Sequence, residues 1–162
     1  MRINSCCALV IVAVTCALAS SACAAEAKVT RGWPSFRGPF GDGHVTAPGD
    51  TAPVGLPTKW SDTENVVWKT ETPLKGWSTP AVLGKDIWFT AADEEGHDYY
   101  AVCADAETGK IRFNQKLFHS DNPEPLGNNV NGYASCSPCV EDGKAYIHFG
   151  SYGTACLESE TG

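Results

Sequence analysis

Basic residues are scarce in this chain and nowhere clustered: 12 Lys and Arg stand against 19 Asp and Glu, for a formal net charge of −7. Nucleic acid or an anionic membrane surface needs a concentrated positive field, so neither is expected as a partner. The acidic excess reads as a solvated surface. Helical periodicity is missing from everything beyond residue 24, which argues against an architecture built on helices. A long hydrophobic run is missing too. The longest, residues 8–19, is interrupted only by Thr15 and falls short of the roughly 20 apolar residues that span a bilayer. Arg2 precedes it and the small-x-small sequence Ala22-Cys23-Ala24 follows, so residues 1–24 read as a secretory signal. The protein is expected to be exported, to the periplasm or outside the cell, with no transmembrane segment in the mature chain. A lipid anchor on Cys23 is the alternative, disfavoured because Ser20 stands where a lipoprotein signal normally has Leu.

Half of the eight cysteines leave with that signal; Cys103, Cys136, Cys139 and Cys156 remain. In an oxidising compartment four cysteines allow two disulfides in three pairings, among which sequence does not choose. Cys136-Ser137-Pro138-Cys139 is a CxxC without the usual companions. Val140 stands where a c-type haem site needs His. Strand signals follow where a thioredoxin-like motif needs a helix N-terminus to lower its thiol pKa. Zinc would need Cys103, Cys156 or His148 to complete the set, and no second close pair exists. The reading that remains is structural: one or two disulfides tying strands together, or small buried side chains.

What the sequence does contain is a phrase stated twice. Val102-Cys103-Ala104-Asp105-Ala106-Glu107-Thr108-Gly109 returns, 53 residues on, as Ala155-Cys156-Leu157-Glu158-Ser159-Glu160-Thr161-Gly162. Strand signals surround the first copy. Asn65-Val66-Val67-Trp68-Lys69-Thr70 is β-branched and aromatic, and is expected as a strand that pairs with a last repeat. Thr79-Pro80-Ala81-Val82-Leu83, Ile87-Trp88-Phe89-Thr90, Tyr99-Tyr100-Ala101-Val102-Cys103-Ala104 and residues 111–117 follow, each bounded by a turn. The cycle restarts at Ser137-Pro138-Cys139-Val140 and Ala145-Tyr146-Ile147-His148-Phe149. Four short strands per repeat predict an all-β fold, a β-propeller of four-stranded blades. Three regions are expected: the signal over 1–24, a Gly/Pro-rich lead-in over 25–64 whose aromatics pack on the domain, and an incomplete propeller of about two blades over 65–162. Because the second phrase closes the sequence, a piece of a larger protein is expected, with the rest of the propeller missing.

The phrase Asp105-Ala106-Glu107-Thr108-Gly109-Lys110-Ile111-Arg112-Phe113 resembles the blade motif Ala-x-Asp-x-x-Thr-Gly-x-x-x-Trp of PQQ-type propellers, with Cys103 in place of Ala and Phe113 in place of Trp. Trp33-Pro34-Ser35-Phe36-Arg37-Gly38-Pro39 and Gly76-Trp77-Ser78-Thr79-Pro80 resemble the start of exported PQQ-binding-like repeat proteins. The resemblance implies that the Asp and Thr bond within a turn and that the aromatic packs between blades. It implies an exported protein that is most simply a non-catalytic binding or scaffolding protein in the periplasm or at the cell surface. The partner would be a protein or small-molecule ligand at the propeller face. PQQ and calcium are the cofactors the resemblance brings with it. A PQQ- and calcium-dependent quinoprotein dehydrogenase acting on an alcohol or sugar is therefore one alternative, and a carbohydrate- or peptide-binding module of a larger exported assembly is another. In family enzymes two adjacent cysteines often lie against the cofactor, and the one adjacent pair here, Cys6-Cys7, goes with the signal.

No residue is singled out as catalytic, cofactor-binding or metal-ligating. His44, His97 and His119 sit in polar or glycine-rich surroundings and read as surface residues, and His148 as a packed, hydrogen-bonded strand residue. Gly41-Asp42-Gly43-His44 reads as a turn, since no strand-loop-helix surrounds it. Gly127-Asn128-Asn129-Val130-Asn131-Gly132-Tyr133 is the most suggestive loop. Its asparagines suit a turn, and the functional alternative is a polar rim whose amides meet a ligand.

Overall fold

The computed structural model describes residues 32–51, 55–128 and 130–162. The expected signal over 1–24 lies outside the described residues. Alternating apolar and polar positions build two antiparallel sheets. The first holds β1 (Gly32–Trp33), β2 (Ala81–Leu83), β3 (Asp86–Ala92), β4 (Asp98–Asp105) and β5 (Ile111–His119), in that spatial order. The second holds β6 (Cys139–Glu141), β7 (Lys144–His148) and β8 (Thr154–Glu158). Among the described residues there is no α-helix, only the single 3-10 turn Gly150–Tyr152. The four strands expected in the first repeat are β2 to β5, and β6 to β8 are three of those in the second. β1 was not legible in the sequence. It extends the first sheet past β2, pairing Trp33 with Val82.

The turn between β4 and β5 shows why the repeated phrase is repeated. The Asp105 carboxylate accepts hydrogen bonds from the Thr108 amide and hydroxyl, both at 2.8 Å, and from the Glu107 amide at 3.1 Å. Gly109 closes the turn at φ +71 and donates its amide to the Asp105 carbonyl at 2.8 Å. A left-handed backbone angle is cheap only for glycine. The second copy repeats the backbone bonds: Gly162 donates to Glu158, and Ser159 donates to Gly143 as Ala106 donates to Lys85, all within 2.8–2.9 Å.

The core lies between the two sheets. Ala81, Trp88, Ala101 and Cys103 on one face of the first sheet join Val140, Ala145, Ile147 and Leu157 of the second in a single buried cluster. Trp88 stacks on Phe113 at 5.9 Å, and Tyr99 lies between Phe149 and Tyr152. The other face of the first sheet carries Ile87, Phe89, Ala104 and Ile111, roofed by residues 68–80 over a cavity of about 280 Å³.

Two expectations are corrected. Residues 65–70 are not a strand: apart from the Ser61–Glu64 bridge beside them they form no backbone pairing with any described residue, and Val67 is 90% exposed. β-branched residues suit a pleated surface only where a neighbouring strand completes it, and none of the described strands lies alongside. The lead-in aromatics pack only in part. Trp33 docks, with the chain folding over its ring at Gly38, whereas Phe36, Phe40 and Trp60 are exposed.

Candidate functional site

The Asn-rich loop is where exposed aromatic and polar groups converge. Residues 76–80 and 134–138 run beside each other where the sheets meet, tied by the Trp77 amide to the Ala134 carbonyl and the Thr79 amide to the Ser137 hydroxyl, both at 2.8 Å. Two contacts pin the loop between 126 and 134. The Trp77 indole rests on Gly132, where a β-carbon would come within 2.6 Å of its Cδ1 and Nε1, and the Tyr133 ring lies against Gly96 in the same way. A side chain at Gly132 would have to displace the Trp77 indole. Inside the loop, Asn128 Oδ1 accepts the Val130 and Asn131 amides, and Ser135 caps Gly132. The turn reading of Asn128 is thus met, while Asn129 lies outside the described residues. What results is a cleft of about 210 Å³ walled by Trp77, Tyr133, Leu126, Asn131, Lys75 and Glu94.

Beside it the β3–β4 turn is organised by Asp93. Its Oδ1 accepts the amides of Glu95, Gly96 and His97 at 2.6–3.0 Å, and its Oδ2 accepts that of Asp98 at 2.7 Å. Burial opposes its charge, but the four amides outweigh burial and hold the carboxyl below the usual carboxylate range. Four amide bonds tie the carboxylate to its own turn, so Asp93 shapes the wall of the cleft.

The cysteines are not brought together. Cys139 and Cys156 are the cross-strand partners of Tyr146 on its two sides, which separates them by two strand spacings, about 9–10 Å. That is beyond disulfide reach. Cys103 lies in the buried face of the other sheet, its thiol pushed up to about 12 by burial and by Asp86. All four are free thiols, which corrects the disulfide expectation and leaves Cys103 as the small buried side chain. The CxxC holds Cys136 and Cys139 exposed in an extended segment, with no helix after it.

Of the histidines, His97 and His119 come together, their rings stacked at 6.3 Å with His97 Nδ1 bonded to the Ser120 carbonyl, while His44 and His148 stand apart. His44 pairs with Asp42 in the expected turn. His148 is in its strand and hydrogen-bonded, its ring to Thr154, but it is exposed and not packed. His119 bonds Asp98 and Asp121, and both carboxylates raise its pKa. Among the described residues no group of three or more His, Cys, Asp or Glu is arranged to hold a metal ion. Among the described residues no such cluster is gathered for calcium and no two cysteines are adjacent in sequence; Cys6-Cys7 lies outside the described residues.

Fold and cleft together define a class: an all-β protein of two antiparallel sheets packed face to face, with its loop cluster at one end of their seam. No family model, curated protein or solved structure matches the chain. No helix among the described residues is long and apolar enough to cross a membrane.

Proposed function

We propose that the two sheets are successive blades of a PQQ-like β-propeller, and that the protein is an exported, non-catalytic binding or scaffolding protein of the periplasm or cell surface. The observation that carries the reading is the sense of the interface. Trp88 and Cys103 of the first sheet pack toward Ala145, Ile147 and Leu157 of the second. By the sequence repeat, those three are the counterparts of Ile87, Phe89 and Ala104, which lie on the opposite face of the first sheet. The front of one unit therefore meets the back of the next. Such an interface is heterologous; it leaves one free front and one free back, and it propagates to further units. Residues 66–70 support the same reading, because Trp68 covers Gly109 as Phe113 covers Gly162. The segment stands where the fourth strand of a preceding blade would stand.

The binding role is supported by the loop cluster at the seam, since rigid sheets with exposed loops are the usual platform for a ligand. Three groups that could serve as base or nucleophile are committed to the structure instead. Asp93 and Asp105 are held by their own turns, and burial holds Cys103 protonated. The alternative is a dehydrogenase whose PQQ and calcium ligands come from other blades.

One experiment separates these. The exported protein is titrated with PQQ and calcium and assayed for dye reduction with alcohols and sugars. Lack of binding and turnover is the expected result; saturable PQQ binding with dye reduction overturns the non-catalytic reading. Hydrogen exchange at residues 66–70 tests the blade separately. In this chain alone the segment has no pairing partner among the described residues; protected amides in the full-length exported protein mean a neighbouring sheet pairs there, and fast exchange at all of them in that protein removes the propeller.

A further inference from the structure

We infer that the cleft over Trp77 is a subsite for one ring of a neutral oligosaccharide. The inference rests on the binding role proposed above and not on ring closure, because every residue it uses lies in the segments already described.

Trp77 is 66% exposed, between the exposed Gly76 and the half-buried Ser78, whose hydroxyl accepts the Thr90 amide at 2.9 Å. Trp60 is equally exposed, so exposure alone does not single Trp77 out; what does is that its indole is held in place at the wall of a cleft. Its backbone amide is bonded to Ala134, and its pyrrole edge is seated on Gly132. A pre-positioned aromatic ring binds with little loss of side-chain freedom.

The surroundings select the ligand. An indole face is electron-rich and attracts the weakly positive C–H face of a pyranose. Around its edge stand groups that meet hydroxyls. The Asn131 carboxamide offers both donor and acceptor, and no hydrogen bond among the described residues occupies it. Lys75 and Glu94 form an exposed ion pair at 2.5 Å. Their charges cancel, and Asp93 adds a negative one, so nothing here attracts an anionic sugar. The volume, about 210 Å³, is below the roughly 300–1,000 Å³ of pockets that enclose a drug-sized ligand. It suits a single ring of a polymer that continues along the surface. A proline-rich peptide would need a groove between several exposed aromatics; Tyr133 is turned down against Gly96, which leaves one exposed ring.

The test is calorimetric titration of the full chain with cellohexaose, laminarihexaose, mannohexaose and xylohexaose, alongside oligogalacturonate and a proline-rich peptide. At least one neutral hexasaccharide is expected to bind saturably. Trp77→Ala should weaken it by about tenfold or more, while Trp60→Ala, at an exposed indole outside the cleft, leaves it unchanged. Should Trp77→Ala fail to fold, Asn131→Ala keeps the test open, with an expected loss of about fivefold. No binding by any neutral sugar, binding indifferent to both cleft variants, or preference for the anionic sugar or the peptide overturns the inference. The blade reading survives each of those results, since none of them touches the packing of the sheets.

Discussion

The indole of Trp68 lies directly over Gly109: a β-carbon there would come within 2.5 Å of Trp68 Cε3. Its Nε1 also donates to the Ala106 carbonyl at 2.9 Å, and Thr70 donates to the Gly109 carbonyl at 2.7 Å. Phe113 stands in the same relation to Gly162, at 2.9 Å. An aromatic from one segment therefore closes the turn of the following repeat, once on each copy of the phrase. This is a contact between units, and it explains why the glycine of the phrase is needed twice over, for its backbone angle and for its missing side chain.

Gly109→Ala is expected to be destabilising through both effects. The left-handed angle alone costs an alanine about 1–2 kcal/mol, and displacing Trp68 adds to that. Chemical denaturation should show the loss, together with a changed tryptophan emission. Gly41→Ala has a similar φ of +71 but open space around it, so it should show only the smaller, conformational part.

Ile147 is fully buried at the seam between the sheets. Truncation to Ala should cost about 2–5 kcal/mol, measured as a lowered denaturation midpoint. A surface change such as Trp60→Ala should stay within about 0.5 kcal/mol. Equal effects of the two substitutions would mean that the seam does not contribute to stability.

Thiol chemistry should divide the cysteines by burial. Cys136, Cys139 and Cys156 are exposed and Cys103 is buried with a raised pKa. Brief alkylation of the native protein followed by peptide mass analysis should modify the first three and spare Cys103 until denaturant is added. Early labelling of Cys103 would contradict the buried placement.

Stability should depend on pH at the β4–β5 end through His119 and Asp98. The bonds to Asp98 and Asp121 raise His119 above its ordinary 6.5. Its contribution is therefore fully present below that value and is lost as pH rises through the folded pKa. Asp98 is lowered from 3.8, first by His119 and also by Lys116, so its contribution is present above 3.8 and is lost as pH falls through the folded pKa. His119 is exposed and Asp98 is half-buried at the surface, so solvent screens the pair and the amplitude is small. A pH series of melting temperatures should show a shallow decline on the alkaline side of histidine titration, absent in His119→Gln.

Much of this was legible from residues 79–162, because alternation, turn glycines and a repeated phrase are local signals. β2 to β5 fall where the pattern puts them, and the Asp105–Thr108–Gly109 turn makes the bonds its sequence implies. The failures are non-local. Residues 65–70 have strand composition but no partner alongside, and composition cannot supply one. β1 is two residues long, too short for any periodicity, and exists because Pro34 accepts the Val140 amide and Trp33 reaches Val82. The loop of Asn128 and Asn131 stood out in the sequence, yet its main aromatic, Trp77, lies about fifty residues earlier, and only the fold brings them together.

The row Trp88–Cys103–Phe113 and the row Cys139–Tyr146–Cys156 mark the division most clearly. Sequence by itself determined that they are equivalent: Cys103 and Cys156 hold the same place in the phrase, on strands of the same period. Tertiary structure alone decided that Cys103 is buried and Cys156 exposed. A strand's alternation fixes which side chains share a face, but whether that face meets another sheet or water depends on what packs against it.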